Sequence, residues 1–249
     1  LEFIRKICLR PQIALLPAAL AIGLSACAPA PRISTINDPL EVQNRKRHEA
    51  NKRLDQAILK PLSGAVGGKG GGPISRGISN FASNLSLPGV ILNDMLQLNL
   101  PEAFSNTARF VMNSTVGLAG VLDVATQNGL SKQDSDFGET LYVWGMPEGR
   151  YLELPLLGPS TERDAIGKVV DFLIDPVDRL VPAPQRYVGT AAKALDTVGD
   201  RGRYSGLVDS VLYESEDSYA QSRLLYLQSR RRVLYGELTE DDLEDPYAE

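Results

Sequence analysis

The sequence predicts an all-α fold, and three observations carry that expectation. Apolar residues recur at helical spacing in several separate segments, alternating patterns of the strand type are scarce, and Pro and Gly turns punctuate the periodic stretches. The 249-residue chain is 43% hydrophobic and 23% charged, a composition that builds a core and excludes wholesale disorder. A formal net charge of −5 argues against a protein built to coat nucleic acid. Two cysteines make neither a disulfide framework nor a four-cysteine zinc site, and one histidine excludes most histidine-based metal and catalytic sites.

Residues 1–26 read as an export signal outside the fold. Arg5, Lys6 and Arg10 form a basic start, and residues 13–24 an apolar run too short to span a bilayer as a helix. Leu24-Ser25-Ala26-Cys27 then resembles a bacterial lipobox, in which cleavage falls between Ala26 and Cys27 and the Cys27 thiol takes up lipid. Each buried CH₂ is worth ~0.8 kcal/mol, so three acyl chains hold such a protein on the membrane. Ala28 in place of aspartate implies, by the sorting rule of that lipoprotein class, the outer membrane and its periplasmic face.

Residues 27–36 read as a tether and residues 37–235 as one helical domain. A polar helix is expected from Pro39 to about Leu62, with Leu54, Ile58 and Leu62 on one face. Residues 64–73 (GAVGGKGGGP) read as a flexible loop. Its Gly68-Lys69 is not a phosphate loop, since Ser63 stands where the first glycine belongs and Gly70 where Ser or Thr belongs.

From Ser79 to Ala125 helices are expected, split at Pro88-Gly89 and at Asn99-Leu100-Pro101. Residues 102–113 carry Ala103, Phe104, Ala108 and Val111 at helical spacing, and Gly117 and Gly120 allow close backbone approach. Residues 128–159 lack a period and read as a structured loop layer. Thr161-x-x-Asp164 opens the next helix, with Ile166, Val169, Val170 and Leu173 on one face and Pro176 beyond its end. Residues 188–197 and 207–236 supply the last helices. Arg230-Arg231-Arg232 reads as a solvated helix end, and the acidic stretch 236–249 as a disordered tail. The mature chain holds no run of 18 apolar residues and so no expected transmembrane helix.

No catalytic set, cofactor site or metal site is expected. His48 lies in Arg45-Lys46-Arg47-His48-Glu49 and reads as a solvated surface residue, whereas a hydrolytic relay holds its histidine in a dry, oriented site. Asp134, Asp136 and Glu139 read as a hydrophilic turn rather than a cation site. Trp144, Tyr142 and Tyr151 suit a membrane–water boundary and a packed loop core equally well.

A set of motifs then carries a family resemblance. Asn37-Asp38-Pro39-Leu40-Glu41, Asn80-Phe81-x-x-Asn84-Leu85, Pro88-Gly89 and Asn93-Asp94 come first. They are followed in order by Arg109-Phe110-x-x-Asn113-Ser114-Thr115-x-Gly117-x-x-Gly120-x-x-Asp123, Phe137-Gly138-Glu139-Thr140, Trp144-Gly145, and Gly158-Pro159-Ser160-x-x-Arg163-Asp164. Over residues 37–232 the chain resembles the VacJ/MlaA lipoproteins. Arg150 departs from the pattern, which has proline before the tyrosine.

That resemblance implies a ring-like helical domain of amphipathic and broken helices in the inner leaflet of the outer membrane. It implies no enzyme, but a component that removes misplaced phospholipids from the outer leaflet and so maintains lipid asymmetry. The partners implied are phospholipid, a trimeric porin and a soluble periplasmic lipid carrier, with no nucleic acid. Gly68, Gly70, Gly71 and Gly72, next to Asn80 and Phe81, form a candidate gate, with a passive loop as the alternative. A porin adaptor that moves no lipid and an envelope lipid hydrolase using His48 are the rival functions.

Overall fold

The computed structural model describes residues 35–66, 72–177, 182, 184 and 186–236. The signal segment, Ala26 and Cys27, the glycines 68, 70 and 71, and the tail beyond Gly236 lie outside the described residues. Helix α1 (Glu41–Leu54) passes through a π-helical turn (Asp55–Leu59) into α2 (Lys60–Val66), with right-handed helical backbone at both junctions. Its inward face is polar. Asn44, His48 and Asp55 are buried and Asn51 half-buried, a set spaced by four, three and four residues, while Ile58 and Leu62 of the apolar face are exposed.

Two asparagines on that face complete a strand. The hairpin β1 (Tyr151–Leu154) and β2 (Gly158–Thr161) pairs Tyr151 with Thr161 and Leu154 with Gly158. The other edge of β1 meets α1. Asn44 donates to Tyr151 O at 3.1 Å and accepts from Glu153 N–H at 3.1 Å, and Asn51 donates to Leu154 O and accepts from Leu156 N–H, both at 2.9 Å. Side-chain amides thus do along this edge of β1 what a third strand would. The loop layer expected over 128–159 is corrected by this hairpin and by α6 (Phe137–Val143), whose N-cap Asp136 accepts from Glu139 N–H at 2.9 Å.

Helix α3 (Pro73–Leu96) corrects two further expectations. The chain is helical up to Val66 and again from Pro73, so residues 64–66 and 73 of the loop expected over 64–73 are helical, and residues 67–71 lie outside the described residues. Pro88 lies inside α3 rather than ending a helix. An internal proline removes one backbone donor and costs ~3 kcal/mol in isolation. Here α3 packs against α4 (Leu100–Thr115) and α8 (Arg186–Arg203), and α4 is tied to it on either side of the proline, Asn84 donating to Ser114 Oγ at 3.0 Å and Asn106 to Asp94 Oδ2 at 2.8 Å.

The turn at Asn99-Leu100-Pro101 forms as expected, with Asn99 as N-cap of α4. So does the close approach after α4: a Cβ on Gly117 would lie 2.3 Å from Leu122 O, and one on Gly120, at φ +95°, 2.4 Å from Asn84 Cβ. Asp123 then caps the short α5 (Val124–Gln127).

Helix α7 (Glu162–Ile174) starts where expected, Thr161 Oγ1 accepting from Asp164 N–H at 3.3 Å, and stops two residues before Pro176. The helix expected over 207–236 is instead α9 (Ser205–Asp209), a π turn (Ser210–Glu214) and α10 (Ser218–Tyr235). Extended backbone at Ser215 separates the last two, and Asp217 caps α10.

Every fourth residue of α10 from Tyr219 to Tyr235 turns inward. Tyr219 packs edge-on against Tyr151 and His48, and Leu227 is buried beside them. Arg223 pairs with Asp38, and Arg231 holds Glu148 through contacts of 2.8 and 3.0 Å. The basic cluster is therefore not a solvated helix end. Arg231 is buried, and Arg230 fits between Asp136, at 2.7 Å from each terminal nitrogen, and Asp164, at 3.1 Å. Only Arg232 of the three is exposed.

A polar passage beside helix α3, and the family it belongs to

Burial in this protein is inverted. Among the described residues twenty-one polar or charged side chains are buried against twelve apolar ones, while twenty-seven large apolar side chains are exposed. In water such an arrangement forfeits apolar burial, so the outer surface is suited to a different solvent. Helices α4 and α7 show it plainly. In α4 the buried stripe is Ala103, Asn106, Arg109 and Asn113, with Phe104 78% exposed and Val111 outside. In α7 it is Arg163, Asp164 and Gly167, with Ile166, Val169, Leu173 and the 76%-exposed Phe172 outside. The apolar faces expected from periodicity exist, but they point outward.

Within this polar interior three adjoining hollows run along one face of α3, on residues Ser79, Ser83, Ser86, Val90 and Asn93, spaced by four and three. The first, of about 210 Å³, has Arg109, Lys132 and Arg203 in its wall. It shares Ser83, Leu87 and Lys132 with the second, of about 310 Å³, which α8 closes with Lys193, Asp196 and Thr197. The third, of about 380 Å³, shares Ser86, Val90 and Lys193 and is flanked by Asp171, Phe172 and Ile174. One end is cationic and hydrogen-bonding and the other borders the exposed apolar face of α7. An amphiphile with a charged head and an apolar tail matches that gradient.

A chain of hydrogen bonds fixes the third hollow. Gln97 donates to Thr140 Oγ1, Thr140 to Asn93 Oδ1, and Asn93 to Asp171 Oδ1 at 2.9 Å. The N–H of Phe137 at the start of α6 reaches Asp171 Oδ2 at 3.0 Å. Asp171 and Asp94 are both pushed above the usual carboxylate range by burial. Glu139, nearby, is pushed up to about 7 by burial and by the Asp136 charge.

Raised carboxylates of this kind lower stability as pH rises, because the folded state takes its proton off only with difficulty. The Glu139 penalty is absent below its ordinary 4.5 and complete above about 7. Glu139→Gln is therefore expected to leave stability unchanged at acid pH and to raise it by roughly 1–3 kcal/mol above neutrality. Urea titrations of both proteins on either side of this window check it, and equal gains at the two pH values would refute the assignment.

Of the candidate gate residues, Asn80 lies in the wall of the first hollow, where it donates to Val121 O at 3.0 Å. Phe81 is half-buried one position further on. Gly72 is the N-cap of α3, more than one helical turn from that wall, with open space where a Cβ would stand. The residues that build the passage, Arg109, Lys132, Lys193 and Arg203, are not singled out by periodicity. A polar i, i+4, i+7 stripe on an otherwise apolar helix is the signal that finds its α3 wall.

His48 corrects another expectation. It is 3% exposed, with Nε2 3.2 Å from Ser218 Oγ and Nδ1 3.4 Å from Glu153 Oε1. This row has the order of a hydrolytic relay, but Ser218 is only 8% exposed and Lys52 Nζ lies 3.4 Å from the same hydroxyl. A nucleophile needs a substrate carbonyl within reach, and this hydroxyl is closed in.

Asp134 pairs with Lys132, and Asp136 is held by Arg230. Tyr151 belongs to the core, while exposed Trp144 donates from Nε1 to Leu96 O at 3.1 Å. Among the described residues no group of three His, Cys, Asp or Glu is placed to hold a metal, and no helix is long and apolar enough to cross a membrane.

The MlaA lipoprotein family profile matches residues 36–233. The chain is 31% identical over 229 residues to the intermembrane phospholipid transport system lipoprotein MlaA of Haemophilus influenzae, covering 88% of this chain and 90% of that one. It is 30% identical over 211 residues to the protein so named in Escherichia coli, covering 80% and 79%. A solved structure described as the structural basis for maintenance of bacterial outer membrane lipid asymmetry superposes with a TM-score of 0.64 at 29% identity, covering 79% of this chain and 98% of that chain. By the profile match and these identities, this chain belongs to the MlaA lipoprotein family.

Proposed function

We propose that this protein takes misplaced phospholipid from the outer leaflet of the outer membrane and passes it through the α3 passage to a periplasmic carrier, so maintaining lipid asymmetry. The observation that carries the reading is a polar, partly cationic passage inside a protein whose apolar helix faces point outward. Acyl chains are the solvent such faces fit, and helices lying in one leaflet bury them without crossing the membrane. The passage gives a headgroup hydrogen-bonding partners while the tails stay in hydrocarbon. Relatives named for intermembrane phospholipid transport agree with this. Lipid on Cys27 would hold the protein at the periplasmic face, and a trimeric porin beside it would give access to the outer leaflet. Passage toward a carrier that binds lipid more tightly requires no nucleotide.

In cells deleted for the protein, outer-leaflet phospholipid is expected to accumulate, and to return to its normal level with the wild-type gene but not with Cys27→Ala. If the deletion leaves the outer leaflet unchanged, the transport reading fails and a porin adaptor replaces it.

A further inference from the structure

Five carboxylates are buried among the described residues, and four of them face a base. Asp55 meets Arg201, Glu148 meets Arg231, Glu153 meets His48, and Asp164 meets Arg230. Asp94, 2% exposed at the end of α3, is the fifth, and among the described residues no lysine, arginine or histidine pairs with it. Its partners are neutral, the Asn106 amide at 2.8 Å and the Ser135 hydroxyl. A carboxylate shut away from water without a counter-charge favours the neutral acid.

Ser135 links it to a second carboxylate. Ser135 Oγ accepts from Gln97 at 2.8 Å, so the hydroxyl has one proton to give, and both Asp94 and the half-buried Glu139 of α6 claim it. Two carboxylates with one donated proton between them leave a place for another. The surroundings do not fill it with positive charge. On α6 Asp136 adds an anion, and α10 brings Arg230, whose guanidinium is shared between Asp136 and Asp164. Helix α7 brings Asp164, Asp171 and, beyond them, Lys168, which answers to Asp164 and Asp136. Against Asp94, α4 sends the Asn106 amide while its Arg109 turns to Asp123, and Lys193 of α8 turns to Asp175. Burial and the Asp136 charge push Glu139 up to about 7, and burial pushes Asp94 above the usual carboxylate range.

We propose that Asp94, Ser135 and Glu139 form a proton-binding site, in which a proton is the missing counter-charge, and that its occupancy closes the junction of α3 with α6 that walls the third hollow. With the proton bound, one hydrogen-bonded row ties the two helix ends together. When it leaves, the two carboxylates repel each other and Asp136, and the first turn of α6 draws away from α3. Thr140 in that turn holds Asn93, and Asn93 and Ser135 line the third hollow, so the hollow loosens with it. The passage is therefore tighter below about pH 7 and looser above it. The proton site stands without the transport reading. Its effect on lipid passage rests on that reading, which the deletion experiment tests separately.

Trp144 is the only tryptophan of the chain, and its Nε1 donates to Leu96 O across the same junction. Its emission is followed across neutral pH in the full-length protein in phospholipid vesicles, without denaturant. A second protein carries a nitroxide amino acid at Gly89, in the third hollow, where space for a side chain is open. The emission is expected to shift to the red with a midpoint near 7, and the nitroxide to gain mobility over the same range. Glu139→Gln is expected to abolish both changes. Asp94→Asn, which removes a repelling charge, is expected to lower the midpoint by about one unit.

An emission change that survives Glu139→Gln overturns the proton site, and a midpoint unmoved by Asp94→Asn overturns the pairing of the two carboxylates. An emission change lost in Glu139→Gln, with nitroxide mobility constant throughout, overturns control of the hollow. A midpoint that moves when sodium is replaced by choline at equal ionic strength overturns the proton and assigns the site to a metal cation.

Discussion

Gly167→Ala is expected to destabilise the protein by about 3 kcal/mol or more, at the upper end of what one added methyl costs in a packed interior. A Cβ there would lie 2.3 Å from Gly138 N, 2.7 Å from Gly138 Cα and 3.1 Å from the carbonyl carbon of Phe137. All three neighbours are backbone, so no rotamer change relieves the contact and α6 must move off α7. That movement pulls the Phe137 N–H away from Asp171 and Asp136 away from Arg230, so the damage reaches the third hollow and the ion-pair core together. Trp144 packs edge-on against Phe137 at 5.7 Å, and its fluorescence reports the event in a urea titration. Gly206→Ala serves as the control, because nothing lies within 4 Å of its Cβ and it sits in α9. It should be neutral or stabilise by up to ~1 kcal/mol through helix propensity. A Gly167 variant that melts with the control would show that α6 and α7 separate at little cost.

Arg230→Met has the next largest expected effect, a loss of about 3–5 kcal/mol at neutral pH. Methionine keeps much of the length and apolar contact of the side chain but leaves Asp136 and Asp164 facing each other across Gly138. Burial acts to raise Asp164, yet Arg230, the Tyr226 hydroxyl and Arg163 together hold it below its ordinary 3.8. A lowered carboxylate contributes stability above its unfolded-state value and loses it as pH falls through the folded one. The deficit of the variant is therefore expected to be full near neutrality and to shrink as pH falls below about 3.8 toward the lowered folded-state value, beneath which both states protonate Asp164. Denaturation curves of both proteins across that range check it. A deficit independent of pH would place the effect in lost packing rather than in the uncompensated carboxylates.

Both predictions concern groups whose importance the linear pattern conceals. Periodicity places α4 and α7 correctly and finds the Thr161 cap, the stop before Pro176 and the tight backbone at Gly117 and Gly120, because caps, proline and glycine act within a few residues of themselves. The motifs from Asn37 to Asp164 are likewise legible, and with them the family. The hairpin escapes the same reading. One edge of β1 is bonded by Asn44 and Asn51, about a hundred residues upstream, so its four residues need little strand pattern of their own. Pro88 misleads for a related reason, since its cost is met by neighbouring helices rather than by local sequence.

The sequence by itself determined where helices form, where most of them end and which lipoprotein family the chain belongs to. Only the tertiary structure decided which face of each helix is inside. The usual rule turns an amphipathic helix apolar side in because water is assumed outside. It therefore sent His48, Arg230 and Arg231 to the surface, the reverse of what is found, while Phe104, Val169 and Phe172 stand exposed. The hydrophobic effect depends on the surrounding solvent as well as on the chain. The reversal follows once buried carboxylates, guanidinium groups and amides satisfy one another at distances that no single segment encodes. Among the described residues that mutual satisfaction leaves six buried side-chain atoms without a partner.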